Sequence, residues 1–483
     1  MKTIRLIPTL TIGLIILAYI CVKAFTASFT HDESFSYLHY IDDSFMAIIS
    51  YSNYYTNNHI LNSLLMKYSE QLFGTSEFAL RLPNLILFGM YMIYSYLLFR
   101  KENPFVAISV FILLCTCGQL TDLFGLARGY GLSCGFMLMG LYHFIAYFRD
   151  HRKFNMILFH VGALLATLSN FTLLDFYAVM LLISNLLPAI ESAIYTDKKY
   201  SLIAVNKIHV IPLLISAAVL YEPIRRLFKG NNLNFGGQSN FYDDTVKSLV
   251  NYTIRFTEIS AETLLLFQIL VTATVIIPLF MILRKIVKKD RKFYLKNKSL
   301  IIVNLLIIFL AAAFILQHAL FKTDYPIDRF SAFLYPLFII NAGLFADTMI
   351  NQKSRIIITA SSVFLALASV ANFVANANLF RSSEWIYDSE TKNVITEISR
   401  QRLLEPRKDV TVEINWLFEP TFNFYRKIWH LHWLKPLNRD GITGKGDYYY
   451  VFRDELDKLD PNDYLINYEF TEINTVLAKN LRE

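Results

Sequence analysis

Residues 5–33 read RLIPTLTIGLIILAYICVKAFTASFTHDE, an apolar stretch of membrane-crossing length that runs almost directly into His31, Asp32 and Glu33. A bilayer core takes roughly 20 apolar residues per helix. Acidic groups are costly at the edge of such a core, so a pair placed there and followed by Tyr37 and Tyr40 marks a candidate site. Adjacent side chains point about 100° apart on a helix and to opposite faces of a strand, so Asp32 and Glu33 divide their work. One faces a reacting group; the other orients it or holds a second substrate. The competing assignment is structural: a polar helix start at which Asp32 caps the next helix through a backbone N–H.

Working outward, composition sets the class. Hydrophobic residues make up 54% of the 483-residue chain and charged ones 18%, with 40 Phe and 29 Tyr, which excludes an ordinary soluble protein. The net charge of +7 does not point to nucleic acid, because the basic residues form short clusters between apolar runs, as a positive-inside bias places them. Cys21, Cys115, Cys117 and Cys134 all lie in apolar stretches, so no disulfide framework is expected.

Eleven candidate spans follow from the bilayer length, with cores at 5–23, 84–99, 104–120, 129–148, 154–170, 172–194, 208–224, 263–284, 299–320, 330–350 and 355–375. Two of them require a turn near Ser169-Asn170 inside one long apolar region. Lys2 and Arg5, Arg100-Lys101, Arg149 with Arg152-Lys153, Lys198-Lys199, the run from Arg284 to Lys298, and Lys353 with Arg355 all fall on one side, expected to be cytoplasmic. That puts the loop 24–83, the loop 225–262 and the tail outside. The first span has a long apolar core and no A-x-A site, so it is read as retained. The loop containing Lys229-Gly230-Asn231-Asn232 and Gly236-Gly237 reads as flexible.

The expected domains are therefore 1–375, a membrane-embedded catalytic domain carrying the acidic pair in its loop 24–83, and 376–483, a small soluble α/β domain. In the latter, Val410–Ile414 and Tyr448–Phe452 read as strands, and Glu384–Arg402 and Pro420–Ile428 as helices. Trp416, Trp429 and Trp433 are assigned to its core ahead of saccharide binding.

The loop after the first span carries Asn57-Asn58-His59-Ile60-Leu61-Asn62, then Leu72-Phe73-Gly74, then Ser76-Glu77-Phe78-Ala79-Leu80-Arg81-Leu82-Pro83. Together with the acidic pair, this resembles the first external loop of the GT-C glycosyltransferase superfamily. It is most similar to the branch of protein O-mannosyltransferases and lipid A aminoarabinose transferases, although Asn57-Asn58-His59 stands where many relatives carry His-Pro-Pro. Ala127-Arg128-Gly129-Tyr130-Gly131-Leu132 and Tyr325-Pro326-Ile327-Asp328-Arg329-Phe330, with Pro336, resemble two further segments of that superfamily. The resemblance covers about residues 1–350, and the tail matches no pattern.

The resemblance implies a polytopic α-helical membrane enzyme of GT-C type that moves a sugar from a polyprenyl-phosphate donor to an extracytoplasmic glycan, lipid or protein, inverting the anomeric centre. Asp32 is then the general base, with Glu33 as its helper. Such a donor needs cations for its phosphate, and Arg81, Arg128 and Arg329 all stand at predicted external span ends. Each also has a structural alternative, snorkelling or pairing with a local acid such as Asp122 or Asp328. His59, Tyr55, Asn58 and Asp175 are candidate substrate contacts, with Tyr54-Tyr55 suited to sugar stacking. His31 is placed to act on Asp32 as an imidazolium. The scattered His160, His209 and His318 suggest no metal cluster, so no cofactor is required, although a divalent ion on Asp32 or Glu33 fits the superfamily. The expected location is a bacterial inner membrane with a cytoplasmic N-terminus. The rival class is a transporter or flippase of lipid-linked saccharides, for which paired broken helices and an inverted repeat are wanting in the sequence.

Overall fold

The computed structural model describes residues 2–53, 55, 57–195, 200–229, 236–254, 260–404 and 409–481. Tyr54, Lys198-Lys199 and the loop residues from Gly230 to Asn232 lie outside these.

Each of the eleven apolar cores coincides with helix. Among the described residues, seven helices are long and apolar enough to cross a membrane on those properties alone: Leu6–Thr26, Glu77–Phe99, Gly129–Asp150, Leu173–Tyr195, Ala261–Val287, Lys298–Phe321 and Arg355–Asn376. The cores at 154–170 and 330–350 form the shorter apolar helices Lys153–Ser169 and Leu334–Met349. The core at 208–224 forms Val210–Lys229, whose last turns carry Arg225, Arg226 and Lys229. The core at 104–120 is broken, with Pro104–Cys115 and Gly118–Phe124 meeting at 60°. Asn103 caps the first piece and Pro104 opens it, while the Thr116 hydroxyl returns to the Ile112 carbonyl at its end. The turn required near Ser169 is built by Asn170, whose side-chain oxygen accepts from the Thr172 N–H at 3.2 Å.

The chain divides into two compact units. The first comprises Met1–Ile20, Ile49–Asn62 and Asn84–Ala377; the second comprises Cys21–Ile48, Ser63–Pro83 and Asn378–Glu483. In the second unit the tail folds around a four-stranded sheet of β1 (Val412–Ile414), β2 (Tyr448–Phe452), β3 (Tyr464–Phe470) and β4 (Thr475–Asn480). The strand order is β1-β2-β4-β3, with β1 parallel to β2 and the other pairs antiparallel. One face buries Tyr449, Val451, Val476 and Ala478 together with Leu456. Helix Glu419–Ile428 occupies the second segment read as helical, whereas in the first, read from Glu384, the α-helix starts only at Thr391 and runs to Leu404 after a 3-10 turn at Ile386–Asp388. Trp416 departs from its core assignment: it is 49% exposed, with the Arg439 guanidinium over its ring.

Candidate functional site

In the second unit the acidic pair opens a helix, His31–Tyr40. Its N-cap is Thr30, whose hydroxyl accepts from the Glu33 N–H while the Glu33 carboxylate accepts from the Thr30 N–H at 3.0 Å. This reciprocal capping box takes over the capping role weighed for Asp32. Arg81 completes the arrangement. Its Nε and one terminal nitrogen grip Glu33 in a fork at 2.8 and 2.7 Å, and the remaining donors go to the carbonyls of Ala24, Ala27 and Ser28. All five guanidinium N–H groups are thereby spent on the protein. Both side chains are 0% exposed. Arg81 accordingly ties the end of the first helix to the start of the acidic helix. Asp32, one residue earlier, is half-buried, about 100° around the helix from Glu33.

The loop pattern around Arg81 has a local logic. Gly74 adopts φ +85°, which an L side chain rarely tolerates, and ends helix Ile60–Phe73 with its N–H on the Glu70 carbonyl. The Ser76 hydroxyl then accepts from the Ala79 N–H and starts helix Glu77–Phe99, which delivers Arg81 one turn later.

The tail straps the same loop. Asp388 accepts from the His31 N–H at 2.6 Å, the Tyr425 hydroxyl accepts from the Phe29 N–H at 2.8 Å, and the Ser28 hydroxyl donates to the Ser389 carbonyl at 3.0 Å. Tyr425 in turn donates to Glu77, which pairs with Lys392. Sequence reasoning did not single out Asp388 or Tyr425, because nothing in the tail's pattern announces contact with residues hundreds of positions away. His31 departs from its expected role. Burial depresses its pKa against the pull of the Leu417 carbonyl, 2.6 Å from Nδ1, and of Asp32, so it is a neutral imidazole at pH 7.

Asp388 makes a pH prediction. Burial pushes its carboxyl well above the usual range despite the hydrogen bonds from His31 and Thr421, with Asp32 and Glu33 adding to the rise. A carboxyl whose folded pKa exceeds its unfolded one holds its proton longer in the folded state, so stability falls as pH rises from the ordinary carboxylate value of about 3.9 through the folded value. Asp388→Asn keeps the shape and removes the titration. Thermal unfolding followed from about pH 5 to about pH 8 is expected to favour the variant increasingly as pH rises, and a constant difference contradicts this.

The first unit gathers a second set of residues. His59 Nδ1 lies 2.7 Å from the Ser169 carbonyl oxygen, and Tyr130 meets its ring edge-on at 4.7 Å. Arg329 donates from Nε to the Tyr130 hydroxyl at 3.3 Å, and Arg128 lies over the Tyr130 ring and donates to the Asn57 carbonyl at 3.2 Å. Two of the three predicted arginines and His59 thus converge on Tyr130, which the sequence had marked only as part of the Ala127–Leu132 segment and not as a site residue. Asn62 anchors the Arg128 loop by donating to the Ala127 carbonyl at 2.7 Å, and Asn84 donates to Asn62. Asn58 is buried with its N–H on the Tyr55 carbonyl, and Tyr55 is 51% exposed. Asp175 accepts from Gln317 of helix Lys298–Phe321 at 2.5 Å. Asp328, weighed as a partner for Arg329, bonds to Ser248 through both its carboxylate and its N–H. Among the described residues no three of His, Cys, Asp and Glu are grouped to hold a metal ion.

Gly129 is required here by crowding. A Cβ on it would stand 1.8 Å from the Ser169 carbonyl oxygen and 2.6 Å from the His59 ring. Gly129→Ala is expected to cost about 1–3 kcal/mol and to displace His59, which thermal unfolding checks; an unchanged melting temperature contradicts it.

A polytopic helical protein with seven helices of membrane-crossing length and apolarity among the described residues, and a small C-terminal sheet, is what these elements define. The chain is similar over nearly its whole length to ArnT from Cupriavidus metallidurans. Against the apo state the TM-score is 0.56 at 9% identity, covering 99% of this chain and 98% of that one. Against the state bound to undecaprenyl phosphate it is 0.55 at 12% identity, with the same coverage. A looser likeness is to the Archaeoglobus fulgidus oligosaccharyltransferase in the apo form (TM-score 0.48, 14% identity, 91% of this chain and 65% of that one). No family model and no curated protein matches the sequence. At these identities the likeness establishes the fold alone.

Proposed function

We propose that this protein is a membrane glycosyltransferase that moves a sugar from a polyprenyl-phosphate carrier to an extracytoplasmic glycan, lipid or protein. The carrying observation is the commitment of Glu33 to a buried, fully satisfied ion pair with Arg81, which leaves Asp32 as the carboxylate of the pair for acid–base work. In this reading Asp32 accepts the proton of the acceptor's hydroxyl or amine as that atom attacks the anomeric carbon. The bond from that carbon to the carrier phosphate breaks, with inversion, and polyprenyl phosphate departs. Arg128 and Arg329 meet the charge developing on the phosphate. Arg81, with every donor occupied, supports the loop instead, and Glu33 positions the helix that carries the base. Asn58, Tyr55 and Asp175 remain candidate substrate contacts, and no step is assigned to a metal.

The likeness to ArnT, one structure of which holds undecaprenyl phosphate, supports a carrier-lipid donor. The basic clusters support a cytoplasmic N-terminus in a bacterial inner membrane, with residues 376–483 outside as a cap that selects the acceptor. Mass spectrometry of envelope glycans, lipids and proteins in a strain lacking the gene tests the reading. Loss of one sugar modification, restored by the wild-type gene and not by Asp32→Asn, is expected. An unchanged envelope overturns it.

A further inference from the structure

His59 carries information about the donor that the sequence alone did not hold. Its Nδ1 is 2.7 Å from the Ser169 carbonyl oxygen, which can only accept, so Nδ1 bears a hydrogen. Burial and the Arg128 charge, with Arg329 adding to it, depress the ring's pKa well below the usual histidine range, so the imidazole is neutral. Nε2 therefore presents a lone pair. The residue is 9% exposed, and Nε2 has no hydrogen-bond partner among the described residues. A buried acceptor left unmet costs about 1–3 kcal/mol, which a donor on a ligand recovers. The ring has little freedom to turn away, being bounded by Gly129 on one side and by the Tyr130 ring.

Three groups of a polyprenyl-phosphate sugar compete for that lone pair, and their chemistry separates them. Phosphate oxygens are acceptors and meet it with repulsion. An ammonium is a donor, yet it enters the positive field of Arg128 and Arg329. A neutral hydroxyl donates without that penalty. We propose that His59 reads one hydroxyl of the donor sugar through Nε2 and so selects an uncharged sugar on the carrier phosphate. This rests on the glycosyltransferase reading above.

The test uses purified full-length protein, an extract of envelope acceptors and decaprenyl phosphate carrying mannose, glucose or arabinose, each also made as single deoxy and single amino analogues, with release of decaprenyl phosphate as the readout. The wild type is expected to turn over at least one neutral sugar and to slow by at least about tenfold for one deoxy position and for the amine at that position. Two substitutions separate ligand reading from scaffolding. The Asn side-chain N–H occupies the place of Nδ1–H, so His59→Asn keeps the Ser169 bond and loses the acceptor. The longer Gln side chain presents its amide oxygen near the position of Nε2, so His59→Gln keeps an acceptor and loses the Ser169 bond. Discrimination between hydroxyl and deoxy donors is expected to vanish in His59→Asn and to persist in His59→Gln. The reverse ranking assigns His59 a purely structural part and overturns the proposal, as does preference for an amino sugar. Absence of release from every donor by wild type overturns the transferase reading itself, and the proposal with it.

Discussion

Asp32→Asn is expected to lower sugar transfer by about 10²–10⁴-fold, the usual worth of a positioned general base, while the protein accumulates in membranes at wild-type levels. The reasoning is local. The caps of helix His31–Tyr40 are supplied by Thr30, Glu33 and Asp388, and the Asp32 backbone carbonyl, which accepts from the Ser36 hydroxyl at 2.8 Å, survives the substitution. Asparagine keeps the size and polarity of the side chain and cannot take up a proton near neutral pH. Activity measured on membranes, normalised to folded protein, checks it. Near-normal transfer removes Asp32 from the mechanism.

Arg81→Ala and Glu33→Ala are each expected to cost about 3–5 kcal/mol, because either leaves one buried charge without its counterpart. The loss exceeds that of an exposed ion pair because neither side chain reaches solvent and because Arg81 also holds three backbone carbonyls at the end of the first helix. Arg81→Lys is expected to rescue little, since an ammonium offers three donors where five are used. Replacing both by apolar residues of similar volume, as in Arg81→Met with Glu33→Leu, removes both charges and is expected to destabilise less than either alanine variant. Thermal unfolding in detergent ranks these variants. If single alanine variants melt with the wild type and lose only activity, Arg81 serves the substrate and not the fold.

The sequence foretold more of the fold than of the site, for physical reasons. Eleven apolar cores were legible because long apolar runs mark membrane helices, although only seven of the resulting helices reach membrane-crossing length unbroken among the described residues. The break at Thr116-Cys117 was not legible, since one threonine followed by Gly118 interrupts the apolar run without introducing a charge or a proline. In the tail, β1 and β2 stood out as runs of β-branched and aromatic residues, whereas β3 is partly solvent-facing along its length and β4 is buried at Thr475, Val476, Leu477 and Ala478 without alternation. At the site, the acidic pair and the loop motifs drew attention to the right segments. Their internal division was hidden: Arg81, Arg128 and Arg329 look alike in sequence. What separates Arg81 is an environment of three backbone carbonyls and one carboxylate contributed by residues about fifty positions earlier.

Purified protein given a polyprenyl-phosphate sugar and an extract of envelope acceptors tests the central claim most directly. Release of free polyprenyl phosphate with the sugar attached to an acceptor, present in the wild type and lost in Asp32→Asn, is the predicted result. Movement of the intact lipid-linked sugar across liposomes without cleavage, equal in wild type and variant, contradicts the account and makes the protein a transporter.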